Sequence, residues 1–303
     1  MANHSANLEA QGMIRSISVP SGIGDSIWLL SKLINTGEKF SFNIPNGIPQ
    51  RSKQVFDLLP DLVHSSQYVP GLSYRKLASE NIQNNFKTWK HITAPKFCLS
   101  MNHHLESGNR IEEFFPDLAT SYVLPWKTQA FAAEVAIAFP PDRKYVGIYG
   151  SSYSTSGPNG FGFWQVAEWV QLVESIHKVR PDITFVQIGA AFDLDLSSDI
   201  ATVLTKKKIP FKTVVGYGMG YVAELMKILS FAFYFPFGLP IFSESLGNAS
   251  DCIMFYPQGI SGIMGGWASK KRIEAGNITE QLFNTPDFVF DWFRDEYKFE
   301  TRL

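Results

Sequence analysis

Residues 21–30 read SGIGDSIWLL and follow a short apolar run, MIRSISVP (13–20). Two glycines one residue apart lead into an acid and then into an apolar segment with helical spacing. Glycines between a strand and a helix let the backbone approach a ligand closely, and a helix N-terminus favours negative charge. A dinucleotide fingerprint would need a third glycine at position 27, where Ile27 stands. It would also need an acid at the end of the second strand, where KFSFNIPNG (39–47) closes on Asn and Gly. A nicotinamide cofactor is therefore not expected. On position alone Asp25 has two readings: a plain helix cap, or a carboxylate acting on a bound substrate.

Outward from this turn, strand and helix signals alternate. IRSISVP reads as a strand and DSIWLLSKLINTG (25–37) as a helix stopped by Gly37. KFSFNIP is the next strand, RSKQVFDLLPDL (51–62) a helix, and KFCLSMNHHLESG (96–108) a strand running into a loop. A second series begins at KYVGIYGSS (144–152). It continues through FWQVAEWVQLVESIHKV, ITFVQIGAA, IPFKTVVGYG, YVAELMKILSFA, FYFPFGLPIFSESLG and DCIMFYPQG. Alternation of this kind predicts parallel sheets covered on both faces, an α/β class. Two doubly wound domains facing a cleft are expected, with ligands at the carboxyl ends of the strands. The boundaries fall at 1–142, 143–280 and 281–303, the last an aromatic, amphipathic helix packing across the domains.

Composition narrows the class. Of 303 residues 45% are hydrophobic and 18% charged, as in a well-packed globular protein. A formal net charge of −1 supplies no global field for nucleic acid, so any such contact needs a local patch. The one tight cationic cluster, Lys206 to Lys208, reads as solvated surface. Cys98 and Cys252 are too few for a zinc site or a disulfide framework. The most apolar run, Ile228 to Phe242, is shorter than a membrane span and is broken by Pro236 and Pro240; it reads as a buried strand and the helix after it. With no secretory signal visible at the start, a cytoplasmic location without a membrane span is expected. Asp193-Leu-Asp195 suggests a metal motif, but reads better as surface acids near a helix start.

Several stretches together carry a resemblance: GIGDSIWLL, GIYGSS, WQVAEWVQLV, VQIGAAFD, and the long block from Tyr221 to Gly259. Their order and spacing resemble glycosyltransferases of the heptosyltransferase type, glycosyltransferase family 9, whose fold is GT-B: two Rossmann-like domains around a central cleft. Likeness is weakest over residues 40–140. The resemblance implies an inverting, metal-independent transfer of a sugar from a nucleotide-sugar donor to an acceptor hydroxyl, with no cofactor beyond that donor. It puts the acceptor base at Asp25, with Gly22 and Gly24 beside the acceptor. It puts the donor at Gly150, Ser151, Ser152, Met219, Gly238 and Glu244, where Glu244 either contacts a sugar hydroxyl or caps the helix. GISGIMGGW (259–267) is a Gly-rich loop expected near the cleft.

The cluster MNHHLESGNR (101–110) lies on the acceptor side of this arrangement. His103 and His104 are second candidate bases, because histidine titrates near neutral pH. Glu106 and Arg110 are candidate acceptor contacts, Arg110 for an acidic group. The chain also departs from the family pattern. A lysine before the WQVAEW helix is replaced by Gly162, and the Asp and His of the family's donor signature are absent from PFGLPI (236–241). Those losses motivate two alternatives: a phage-type transferase acting on hydroxymethylated DNA, and a non-catalytic relative that still binds nucleotide or sugar.

Overall fold

The structure, a computed structural model, describes residues 14–19, 22–45, 49–69, 96–98, 115–149, 164–235, 238–248, 250–256, 278–282 and 285–303. The first sheet comprises β1 (Arg15–Ser18), β2 (Phe40–Pro45), β3 (Val63–Val69) and β4 (Lys96–Cys98). Its strands are parallel, in the order β3-β2-β1-β4. Helices α1 (Ile23–Leu33) and α2 (Pro49–Asp57) accompany it. Gly37, at φ +70°, ends the turn that follows α1.

The second sheet comprises β5 (Lys144–Tyr149), β6 (Ile183–Gly189), β7 (Phe211–Val215), β8 (Phe231–Tyr234), β9 (Cys252–Tyr256) and β10 (Ile278–Leu282). It too is parallel, in the order β10-β9-β8-β5-β6-β7. This is the doubly wound order of nucleotide-binding sheets, with its switch point between β5 and β8. The helices are α3 (Ala132–Ala138), α4 (Val166–Val179), α5 (Leu194–Lys206), α6 (Met219–Ile228), α7 (Gly238–Ser245), α8 (Pro286–Asp295) and α9 (Phe299–Arg302). The apolar run from Ile228 is thus β8 followed by α7. Among the described residues no helix is long and apolar enough to cross a membrane.

Every residue of β6 is buried, as a strand covered on both faces requires. The first sheet departs from that expectation. Ile17, Phe40, Phe42 and Ile44 face the core, while the alternate positions carry Ser16, Ser41 and Asn43. These polar groups join across the strands: Asn43 Nδ2 donates to Ser16 Oγ at 2.9 Å, Gln67 Nε2 to Asn43 Oδ1 at 2.9 Å, and Ser65 Oγ to Ser41 Oγ at 2.8 Å. Mutual hydrogen bonds let a parallel sheet keep a half-wet face.

The tail forms a capped helix, as its amphipathic pattern predicts. Thr285 Oγ1 caps α8 by accepting from Phe288 N, and Pro286 takes the first helical position. Phe293 stacks on Phe299 at 4.5 Å and packs against Phe231 and Phe233 of β8. Among the described residues the tail's aromatic face packs on the phenylalanines of the second sheet and on α4.

The two sheets share one core through α1, α6 and α7. A close backbone approach joins α1 to α7: a Cβ on Gly238 would lie 2.8 Å from the backbone nitrogen of Gly24 and 2.8 Å from Ile23 Cβ. Gly238→Ala should therefore force the helices apart and destabilise the protein by about 1–3 kcal/mol in urea unfolding. Gly24→Ala, whose Cβ would meet Gly238 Cα at 3.4 Å, should cost less.

Candidate functional site

Ligands of open parallel sheets bind outside the carboxyl ends of the strands, where the strand order reverses. Those points are β1/β4 in the first sheet and β5/β8 in the second. α1 follows β1 and α7 follows β8, and their N-termini meet at Gly24 and Gly238. The two crevices consequently face one another across this contact.

The N-cap of α1 is Gly22, at φ −72° and ψ 136°, with no side-chain cap. Its carbonyl accepts Ser26 N at 3.1 Å and Ser26 Oγ at 2.8 Å. Asp25 is therefore not the cap: the backbone places it at the third helical position, in the first turn, where the positive end of the helix dipole stabilises a carboxylate. Several other helix starts are closed by side chains, α4 by a Gln165–Glu168 capping box and α8 by Thr285. The glycine cap leaves the start of α1 open to a ligand instead.

At the ends of β5 and β8, which flank the second switch point, the buried rings of Tyr149 and Tyr234 meet edge-on at 6.4 Å. Burial drives the Tyr234 hydroxyl far above its ordinary pKa, with further upward pushes from Cys252 and Glu244, so it stays neutral. Burial likewise pushes the Cys252 thiol well up, which removes it as a nucleophile.

Glu244 stands elsewhere than the sequence suggests. The helix begins at Gly238, so Glu244 lies in its last turn, about 9 Å along the axis from the N-terminus. It does not cap the start of that helix, and its carboxylate adds to the upward push on the Tyr234 and Cys252 pKa values. Met219 stands at the start of α6. Its side chain is fully buried, and its backbone N–H donates to Gln54 Oε1 of α2 at 3.0 Å. Packing and the junction between sheets claim this residue. Asp193 is no surface acid: it is 2% exposed and accepts the Ala190 N–H at 2.6 Å, while Asp195 is exposed. Lys206 to Lys208 are exposed as expected, and Lys207 pairs with Glu174.

His103, His104, Glu106 and Arg110, in the stretch after β4, lie outside the described residues. So do Gly150, Ser151 and Ser152 after β5, and the loop 259–267. In chain order, the first two groups follow strands that flank the switch points. Among the described residues no group of three His, Cys, Asp or Glu is placed to hold a metal ion.

The residues that sequence reasoning missed are those joining the halves. Gln54 bridges α2 to α6. Thr128 bonds to Glu224, and Lys227 Nζ donates to Thr128 Oγ1 at 2.9 Å and to Glu224 Oε1 at 2.6 Å. Trp126 Nε1 donates to Ser245 O and Ser245 Oγ, each at 3.0 Å. Apart from the Lys227–Glu224 pair within α6, each pair is separated by more than ninety residues, beyond any local pattern.

No protein-family model matches the chain, and no curated protein matches it. Solved structures do. E. coli ADP-heptose LPS heptosyltransferase II is 13% identical with a TM-score of 0.57, over 92% of this chain and 97% of that one. E. coli heptosyltransferase WaaC with ADP is 13% identical with a TM-score of 0.56, over 95% and 100%. A glycosyl transferase family 9 protein from Veillonella parvula is 11% identical with a TM-score of 0.57, over 96% and 94%. At such identities the likeness establishes the fold: the chain has the heptosyltransferase-like GT-B architecture. Gln54→Ala should leave the Met219 N–H partly buried without its partner and lower stability by about 1–2 kcal/mol in denaturant unfolding.

Proposed function

We propose that this protein is an inverting glycosyltransferase that takes its sugar from a nucleotide-sugar donor. The observation that carries the reading is the meeting of α1 and α7 at the carboxyl ends of two doubly wound sheets. Residues 1–142 form the acceptor half and 143–280 the donor half. The donor diphosphate lies at the N-terminus of α7, near Gly238 and beside Gly150, Ser151 and Ser152, where backbone N–H groups and the helix dipole offset its charge. Their fixed dipoles stabilise the leaving group without a bound metal. The acceptor lies over Gly22 and Gly24, flanked by His103, His104, Glu106 and Arg110.

In the reaction the Asp25 carboxylate takes the proton of the acceptor hydroxyl as its oxygen attacks the anomeric carbon. The bond from that carbon to the diphosphate oxygen breaks, and its electron pair leaves with the nucleoside diphosphate. Attack from the opposite face inverts the anomeric centre. A position in the first turn of a helix favours a carboxylate over its protonated form. The Asp and His missing from the family's donor signature leave the identity of the sugar to pocket shape. The ADP of the WaaC structure makes ADP-sugars the first donors to try.

The test begins with a thermal-shift panel of ADP-, UDP-, GDP- and TDP-sugars. A ligand at about a hundred times its Kd stabilises the folded state by about 2.7 kcal/mol. Glycans and hydroxymethylated DNA are then offered as acceptors with the stabilising donor. Asp25→Asn should retain the donor shift and lower turnover by about 10²–10⁴-fold. Undiminished turnover in Asp25→Asn would remove the assigned base. A donor shift without turnover on any acceptor would favour the non-catalytic relative.

A further inference from the structure

Residues 115–131 form a strap that touches both halves. On α1 it is held by Ser121 N to Ser31 O at 2.8 Å, Lys32 Nζ to Leu118 O at 3.1 Å, and Asn35 Nδ2 to Ala119 O at 2.9 Å. Six residues after Leu118 it reaches the other half. Leu124 N donates to Ser245 O at 2.9 Å, and the Trp126 indole N–H is shared between Ser245 O and Ser245 Oγ. The Trp126 ring meets Phe242 edge-on at 5.2 Å. Lys127 N returns to Leu58 O of the first half at 2.9 Å.

α1 and α7 are thus joined at both ends. Their N-termini touch through Gly24 and Gly238, with Ile23 and Ile241 packed beside them. The strap ties the C-terminal end of α7 to the C-terminal half of α1. α7 is a rod of eight residues, about 12 Å long, so a shift at Ser245 is transmitted to Gly238.

We infer that Trp126, through its hydrogen bond to Ser245, is a positioning residue that holds the N-terminus of α7 against that of α1. It thereby sets the spacing between the donor and Asp25, an inference that rests on the function proposed above. Reaction geometry is unforgiving on this scale: a misplacement of about 1 Å costs on the order of a hundredfold in rate. Each half keeps its own subsite when the strap loosens, so substrate binding is spared while the alignment of base and anomeric carbon is lost.

The test uses the full chain with Trp126→Phe, which keeps the ring against Phe242 and removes only the N–H donor. Hydrogen exchange should quicken about fivefold or more at the amides of Ser26 to Leu30, in a helix start that Trp126 does not touch. With the nucleotide sugar identified in the panel, kcat should fall tenfold or more while the donor KM stays within twofold. Ser245→Ala should act in the same direction, and the double variant should lose less than the two single losses combined. Lys127→Ala, on the same strap with an exposed side chain paired to the exposed Asp61, should change neither readout. Unchanged exchange in α1, or quickened exchange with full kcat, overturns the inference. If the wild-type protein turns over no nucleotide sugar, the proposed function falls; the exchange at Ser26 to Leu30 then decides by itself whether Trp126 couples the two helices.

Discussion

The backbone contact between Gly24 and Gly238 is the constraint on which the rest of the molecule depends. A single methyl group at Gly238 would collide with the main chain of α1, and a main chain cannot move aside as a flexible side chain does. The contact brings together two helix N-termini that belong to different sheets. Each start carries a partial positive charge and N–H groups without helical partners. Bringing two such ends together stabilises nothing by itself, since like ends repel. The arrangement persists because apolar packing further along α1 and α7, with Ile27, Leu30, Ile241 and Phe242 all fully buried, outweighs that cost. A concentration of positive helix ends in one crevice is suited to a ligand that carries negative charge.

Stability is distributed to serve this junction. The second sheet is braced away from the crevice by an aromatic stack, Phe231, Phe233, Phe293, Tyr297 and Phe299, on the face opposite α7. The crevice side is held by hydrogen bonds across the halves: Gln54 to Met219, Thr128 with Glu224 and Lys227, and Trp126 to Ser245. The Lys227–Glu224 pair is mostly buried and satisfied by Thr128, so removing any member would leave a desolvated charge or hydroxyl behind. Such polar links define orientation more sharply than apolar packing, because a hydrogen bond loses its strength quickly with angle.

Much of the architecture was legible in the chain. Largely apolar runs such as ITFVQIG mark strands covered on both faces, and the alternation with amphipathic segments implies parallel sheets. Gly37 as a helix stop, and the strand-then-helix reading of the Pro-interrupted run from Ile228, follow from local backbone chemistry and hold in the structure. The sequence was misleading where a residue's role depends on where an element begins. FGLPIFSES reads as a turn followed by a helix starting near Ser243, yet the helix starts at Gly238, because proline is tolerated in a first turn. That displacement of five residues puts Glu244 in the last turn of α7 instead of at its start. Asp193 was misread for a similar reason: an acid beside a helix start looks solvent-facing until the chain folds over it.

By itself, the sequence determined the class of the fold, the succession of its elements, and the glycine-rich turn that puts Asp25 at the head of a helix. These are properties of neighbouring residues: φ and ψ freedom, apolar period and capping chemistry act within a few positions. Only the tertiary structure decided that Gly24 meets Gly238, that Trp126 grips Ser245, and that Gln54 supplies the cap that α6 lacks. Those pairings span more than ninety positions and arise from the packing of one sheet's helices on the other's, for which no local pattern exists.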